Sequence, residues 1–302
     1  MSTSAGNDDD PAVLAVSDLH VEFDTYGGFV SAVRGASFNV RAGKTLGIVG
    51  ESGCGKSVTV QSILGLIPMP PGRITRGQAL LGGVDIIQQK IIDGEDIRGN
   101  RVGMIFQDPM SSLNPTMRVG DQIAEAVMIH QRAPRGQALA RAVEMLRLVR
   151  ISDPDQRVRA YPHQLSGGMR QRVMIAMALA CNPLLLIADE PTTALDVTVQ
   201  RQVLGLIKAL QADRDTALLF ITHDLGVVAK LCHRITVLHG GRVLEQGDVG
   251  PVFQAPEHAY TSALMKATPR YDRPGDALQP VPAALTETLN AEALAYDEAR
   301  DA

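Results

Sequence analysis

Cysteine is scarce in this chain of 302 residues: Cys54, Cys181 and Cys232 stand far apart and form no C-x-x-C spacing. That argues against a disulfide framework and a zinc site, and it fits a reducing cytosol. Long apolar runs are missing too. Stretches such as Val173 to Cys181 stop well short of the ~20 residues that span a bilayer, so the chain is not expected to insert in a membrane by itself, although it can dock on a protein that does. The polar, acidic start, Met1 to Asp10, has no basic n-region and no apolar h-region, and does not read as a signal peptide. A net charge of −4 supplies no electrostatic drive toward nucleic acid. No internal repeat is visible. What remains is an ordinary composition, 45% hydrophobic, sufficient for one large domain or two small ones.

Against that background one stretch stands out: Gly50-Glu51-Ser52-Gly53-Cys54-Gly55-Lys56-Ser57, which matches G-x-x-x-x-G-K-[ST]. Leu46 to Val49 before it reads as a buried strand, and Val58 to Leu66 after it reads as a helix. Strand, glycine loop and helix together make a phosphate cradle. The glycines let successive N–H groups point inward, and the helix N-terminus adds partial positive charge. Lys56 supplies a full charge for β- and γ-phosphates, and the Ser57 hydroxyl is placed to ligate Mg²⁺. Gly50, Glu51, Ser52, Gly53, Cys54, Gly55, Lys56, Ser57 and Val58 are therefore the candidate nucleotide-binding set. Cys54, beside Lys56 and a helix N-terminus, is expected to have a lowered pKa and to be open to alkylation; the competing reading is a small residue filling a small site.

A second motif, Leu184 to Glu190, reads as a central parallel strand with Asp189 and Glu190 at its carboxyl end, where ligands bind in such sheets. Asp189 is expected to hold the Mg²⁺ shell, and Glu190 to act as the general base on the attacking water.

Leu165-Ser166-Gly167-Gly168-Met169-Arg170-Gln171-Arg172, opening a helical stretch from Met169 to Cys181, resembles the signature motif of ABC-type ATPases. The resemblance implies that Ser166, Gly167 and Gly168 meet the γ-phosphate held by a partner subunit, at another helix N-terminus suited to anions. Phe106-Gln107-Asp108-Pro109 looks like the family's Q-loop, with Gln107 contacting both Mg²⁺ and the attacking water. Thr193-Ala194-Leu195-Asp196 looks like its D-loop, with Asp196 acting across a dimer interface. Phe220-Ile221-Thr222-His223-Asp224 looks like its H-switch, with His223 on the γ-phosphate and holding Glu190 and the water in register. As an isolated histidine at a strand end, His223 reads as a satisfied polar residue; the motif order assigns it chemistry. The aromatic that stacks on adenine falls within Leu19 to Val30. Counting back from the strand suggests Phe23, with Tyr26 and Phe29 as alternatives and edge-strand packing as the competing reading.

Asp96-Ile97-Arg98-Gly99, Met104 to Pro115, Val119 to Ile123, Tyr161 to Leu165, Ala188 to Thr198 and His258-Ala259-Tyr260-Thr261 together closely resemble the ATP-binding subunits of the dipeptide/oligopeptide/nickel importers, from about Val13 to about Pro269. The implied fold is α/β: a P-loop NTPase core of the ABC type over 13–270, with an antiparallel β subdomain and an inserted helical subdomain at about 108–165. There, Gln137 to Val149 places Leu139, Val143, Leu146 and Val149 on one helical face.

The resemblance implies an ATPase that powers import of di- or oligopeptides, with ATP and Mg²⁺ as cofactors. It works with a second ABC ATPase subunit, homologous or identical, two integral membrane permease subunits and an extracytoplasmic solute-binding protein, at the cytoplasmic face of the inner membrane, with no nucleic acid. Import of nickel or another solute, a soluble ABC ATPase of translation or DNA repair, and an ATP-binding module without turnover are the alternatives.

The end of the chain departs from the family. Many peptide-importer members continue into a cysteine-containing C-terminal segment, which in some holds an iron–sulfur cluster. Tyr271 to Ala302 has no cysteine, so no cluster is expected. With seven acidic residues against two arginines, residues 271–302 read as a solvated, partly ordered tail, and residues 1–12 read as disordered. Leu285, Leu289 and Tyr296 nonetheless fall at helical spacing after Pro282.

Overall fold

The computed structural model describes residues 11–88, 97–193, 195–268 and 279–301. Residues 1–10, Asp96, Ala194 and the first part of the expected tail lie outside the described residues.

Two sheets form the frame. Strands β1 (Ala12–Thr25), β2 (Gly28–Arg41), β4 (Gly72–Leu81) and β5 (Val84–Asp85) make an antiparallel sheet in the order β2-β1-β4-β5. Strands β3 (Thr45–Val49), β6 (Val102–Ile105), β7 (Leu185–Asp189), β8 (Ala217–Ile221), β9 (Arg234–His239) and β10 (Arg242–Asp248) make a second, in the order β10-β9-β3-β8-β7-β6. Its first five in space after the antiparallel edge strand β10 run parallel.

β3, β7 and β8 are buried along their whole length, the mark of a sheet covered on both faces. The pleat divides their side chains between two cores. Leu185, Ile187, Leu219 and Ile221 join Leu14, Val16, Val21 and Val60 in a cluster shared with the antiparallel sheet and α1 (Lys56–Ile63). Leu186, Ala188, Leu218 and Phe220 join the opposite cluster, which takes in the helices inserted between β6 and β7.

That insertion comprises α2 (Pro109–Ser112), α3 (Val119–Gln131), α4 (Arg135–Leu148), α5 (Pro154–Arg157), a 3₁₀ turn at Pro162–Gln164, and α6 (Gly167–Leu179). Beyond β7 come α7 (Val197–Arg214), α8 (Leu225–Leu231), α9 (Val249–Gln254), α10 (Ala259–Ala267) and α11 (Ala283–Asp301).

Three sequence expectations shift. The helix after the glycine loop ends at Ile63 rather than Leu66 because Gly65, at φ 64°, closes a Schellman turn, with Leu66 N–H donating to the Gln61 carbonyl at 2.8 Å. On α4 the expected face holds at Leu146 and Val149, both fully enclosed, and Leu139 packs on the core while partly buried; but the burial also takes in Ala138, Ala142 and Met145, and Val143 is only partly buried. Small alanines let α4 approach its neighbours, a choice that hydrophobic periodicity alone does not rank. The solvated tail is replaced, over its described part, by a docked helix. Leu289 and Ala293 of α11 are each 5% exposed, and Asp297 pairs with Arg34 of β2 at 2.7 Å. Net acidity hid this, because the acidic residues that matter face basic partners on the core.

Candidate active site

Four parallel strands deliver the candidate residues to one sheet edge, because β3, β6, β7 and β8 all end there. The glycine loop follows β3. A Cβ on Gly50 would stand 2.2 Å from the Leu238 carbonyl oxygen, and one on Gly55, at φ 100°, 2.5 Å from that of Ala32, so the loop lies too tight against β9 and β2 for side chains there. Lys56, 5% exposed, donates from Nζ to the carbonyls of Gly50 at 2.8 Å and Glu51 at 2.9 Å. The loop thus satisfies the buried ammonium with its own backbone.

Ser57 Oγ, one residue on, donates to Asp189 Oδ1 at 2.9 Å. Burial pushes the Asp189 carboxyl above its ordinary value, with the Glu190 charge adding to this and Ser57 and Lys56 opposing it. A buried carboxylate beside a hydroxyl, both hard oxygen donors and short of countercharge, fits a small divalent cation such as Mg²⁺.

Glu190 sits at φ 45°, a left-handed conformation rare for a side-chain-bearing residue and held by its N–H donating to Ile221 O at 3.0 Å. The turn aims its carboxylate away from Asp189's partners. Oε2 accepts from Gln107 Nε2 at 3.2 Å and from Thr193 Oγ1 at 3.1 Å, and Oε1 lies 3.4 Å from His223 Nδ1. Lys56, Ser57, Asp189, Glu190, Gln107 and His223 are therefore joined in one place, the last two solvent-facing. Sequence reasoning missed the Thr193 contact and the Glu190 backbone turn; the turn carries no glycine to announce it.

Ser166, Gly167, Gly168 and Asp196 form a separate surface group. Ser166 Oγ caps α6 by accepting from Met169 N at 3.3 Å, and Asp196 Oδ1 caps α7 by accepting from Thr198 N at 3.0 Å and Val199 N at 2.9 Å. Gly168 brings the two helix starts together, since a Cβ there would meet Val199 at 2.8 Å. Ser166 and Gly167 are exposed. Capping also starts α6 at Gly167, two residues before the expected Met169.

Phe23, on β1, is half-buried, with its ring against Gly72 of β4; Tyr26 is wholly exposed, and Phe29 lies beneath the Arg73 guanidinium, 3.7 Å from its ring centroid. Cys54 departs from expectation. Its thiol is buried, and that burial pushes its pKa up, outweighing the nearby Lys56 charge that was expected to lower it. The small-residue reading is the one its surroundings support.

The family model for ABC transporters matches residues 33–193. The oligopeptide transport ATP-binding protein OppD of Bacillus subtilis (strain 168) is 53% identical over 264 residues, which is 87% of this chain and 74% of that protein. The dipeptide transport ATP-binding protein DppD of the same organism is 51% identical over 269 residues, 89% of this chain and 80% of its own length. Among solved structures, the dimeric post-hydrolysis state of the ATP-binding cassette MJ0796 bound to ADP and Pi superposes with a TM-score of 0.69 at 26% identity, over 78% of this chain and 98% of that one. A site assembled from a glycine loop, two strand-end carboxylates, a glutamine and a histidine, on a chain this similar over most of its length, belongs to the ABC transporter family, among its oligopeptide and dipeptide transport ATP-binding proteins.

Proposed function

We propose that this ATPase hydrolyses ATP clamped between two such subunits and thereby drives peptide import through membrane-embedded partners. The observation that carries the reading is the shared Glu190 carboxylate, gripped by Gln107, Thr193 and His223 beside the Ser57–Asp189 pair.

In this reading the Gly50 to Val58 loop wraps the phosphates, and Lys56 exchanges its loop carbonyls for β- and γ-phosphate oxygens. Ser57 and Asp189, with Gln107, hold Mg²⁺, which when bound offsets phosphate charge. Glu190 accepts the proton of the attacking water as general base. Gln107 and Thr193 hold that carboxylate in aim, and His223 bridges it to the γ-phosphate, so loss of that phosphate is felt at both. Phe23 stacks on adenine, its ring seated between β1 and β4. Ser166, Gly167, Gly168 and Asp196 serve the nucleotide of the opposite subunit, which explains why they sit exposed and apart from the hydrolytic group.

The partners are a second ABC ATPase, identical or homologous, two permease subunits and an extracytoplasmic binding protein, with this chain peripheral at the cytoplasmic face. Among the described residues no helix is long and apolar enough to cross a membrane. The names of the relatives, oligopeptide and dipeptide transport proteins, support a peptide cargo over nickel, and over a role in translation or DNA repair.

Replacing Glu190 by Gln should leave ATP affinity within about twofold and slow phosphate release about 100-fold or more. Unchanged phosphate release from that variant would remove Glu190 from the role of base. ATP binding without any phosphate release from the wild-type chain and its partners would reduce the protein to a binding module.

A further inference from the structure

The phosphate loop is held from outside as well as from within. Tyr260, on α10, has no exposed surface, and its hydroxyl meets Glu51 twice. It donates to Glu51 Oε2 at 3.1 Å and accepts from the Glu51 backbone N–H at 3.4 Å. The next atoms of the same residue matter most, since the Glu51 carbonyl is one of the two that receive Lys56 Nζ. Packing does not require this hydroxyl, because a phenylalanine ring would fill the same space. A buried hydroxyl persists only where it is hydrogen-bonded, and here both of its bonds go to one loop residue. Burial also pushes the Tyr260 pKa well above that of an ordinary tyrosine, so the O–H stays protonated and able to donate across the neutral range.

Tyr260 is itself seated from the far side. His239, at the end of β9, meets its ring edge-on with centroids 4.7 Å apart, and His239 Nε2 lies 3.1 Å from Asn290 Oδ1 on α11. The next residues, Gly240 and Gly241, back the loop: Gly241 N–H donates to the Cys54 carbonyl at 2.9 Å. Arg34 ties that turn to α11, donating from Nη1 to Gly240 O at 2.5 Å and from Nη2 to Asp297 at 2.7 Å.

We propose that Tyr260 is a positioning residue of the phosphate loop: its hydroxyl fixes the Glu51 peptide that parks Lys56, and α11 seats it through His239 and Asn290. The proposal rests on the reading of the loop as the ATP phosphate site.

The test is equilibrium binding of MgATP to the full-length chain, with thermal unfolding measured alongside. Tyr260→Phe, which keeps the ring, should weaken binding about tenfold. Glu51→Ala should weaken it similarly, and Glu51→Gln, which still offers an acceptor to the Tyr260 hydroxyl, should recover most of the loss. In the double variant Tyr260→Phe/Glu51→Ala the combined loss should fall short of the product of the two, because both changes break the Tyr260–Glu51 side-chain bond. Wild-type affinity in Tyr260→Phe, or losses that multiply, would overturn the proposal. If Tyr260→Phe fails to fold, the two Glu51 variants decide: equal losses in Ala and Gln overturn it, and a smaller loss in Gln supports it. Lys56→Ala is the control for the underlying reading. ATP binding undiminished in Lys56→Ala would reject the phosphate-loop assignment itself, whereas binding lost there and retained in Tyr260→Phe rejects the role of Tyr260 alone.

Discussion

Burial holds the Asp189 carboxyl above its ordinary value of 3.8, and the hydroxyl of Ser57 and the charge of Lys56 offset this only in part. A carboxyl raised in the fold binds its proton more tightly there than in the unfolded chain. Its contribution to stability is therefore fully present below the ordinary value and is lost as pH rises through the raised one, leaving the ionised group as a net cost at neutral pH. Asp189→Asn should then stabilise the nucleotide-free protein by about 0.5–2 kcal/mol at pH 7 while abolishing Mg²⁺-dependent hydrolysis. The stability gain should shrink as pH falls toward 3.8 in thermal unfolding followed across pH; a gain independent of pH would contradict the ionisation account. Cys54 behaves oppositely to its sequence context: with its thiol buried and its pKa raised, alkylation by iodoacetamide at pH 7 should be at least about tenfold slower than for an exposed cysteine, as read by mass spectrometry. Lys56, Ser57, Asp189 and Glu190 were legible because phosphate chemistry imposes local spacing on them. The left-handed φ of Glu190 and the grip of Tyr260 on a residue 209 positions away leave no local pattern to read.

The elements divide along the same line. Strands β3, β7 and β8 were readable because continuous apolar runs of this length admit little else once motifs follow them. Helix α4 was readable as a helix and in part of its buried face, Leu146 and Val149, but not in the share taken by Ala138 and Ala142, because a hydrophobicity count undervalues alanine. Helix α11 was overshadowed by composition. Its Leu289 is 5% exposed against the larger core, and truncation to Ala should cost about 2–3 kcal/mol in chemical denaturation. A cost below about 0.5 kcal/mol would mean that the helix is not docked in solution.

Across the whole molecule the hydrolytic group and the Ser166–Asp196 group are built separately: Ser166 and Asp196 cap helix starts, while Glu190 bonds Gln107, Thr193 and His223. Under the proposed clamp, the exposed, capped helix start at Ser166 would offer its anion site to another copy or homologue, and a two-fold pairing would supply both sites at once. Ser166→Arg should leave ATP binding by the chain's own loop within about twofold. In a Glu190→Gln background it should remove ATP-dependent pairing in size-exclusion chromatography. Pairing that survives the arginine would place the interface elsewhere.

The helix α11 also sets where the protein can be cut. Beneath it, Glu22 is 3% exposed in its side chain and is answered by Arg73 at 2.8 Å and by Arg300 of the helix itself. Ending the chain at Pro269, where the family resemblance of the sequence stops, would strip away Arg300 and Asp297, wetting a glutamate half-neutralised and an Arg34 without its carboxylate. A fragment drawn by homology alone would thus carry a fresh charged scar next to the turn that backs the phosphate loop, and its weakened nucleotide affinity would be an artefact of the boundary.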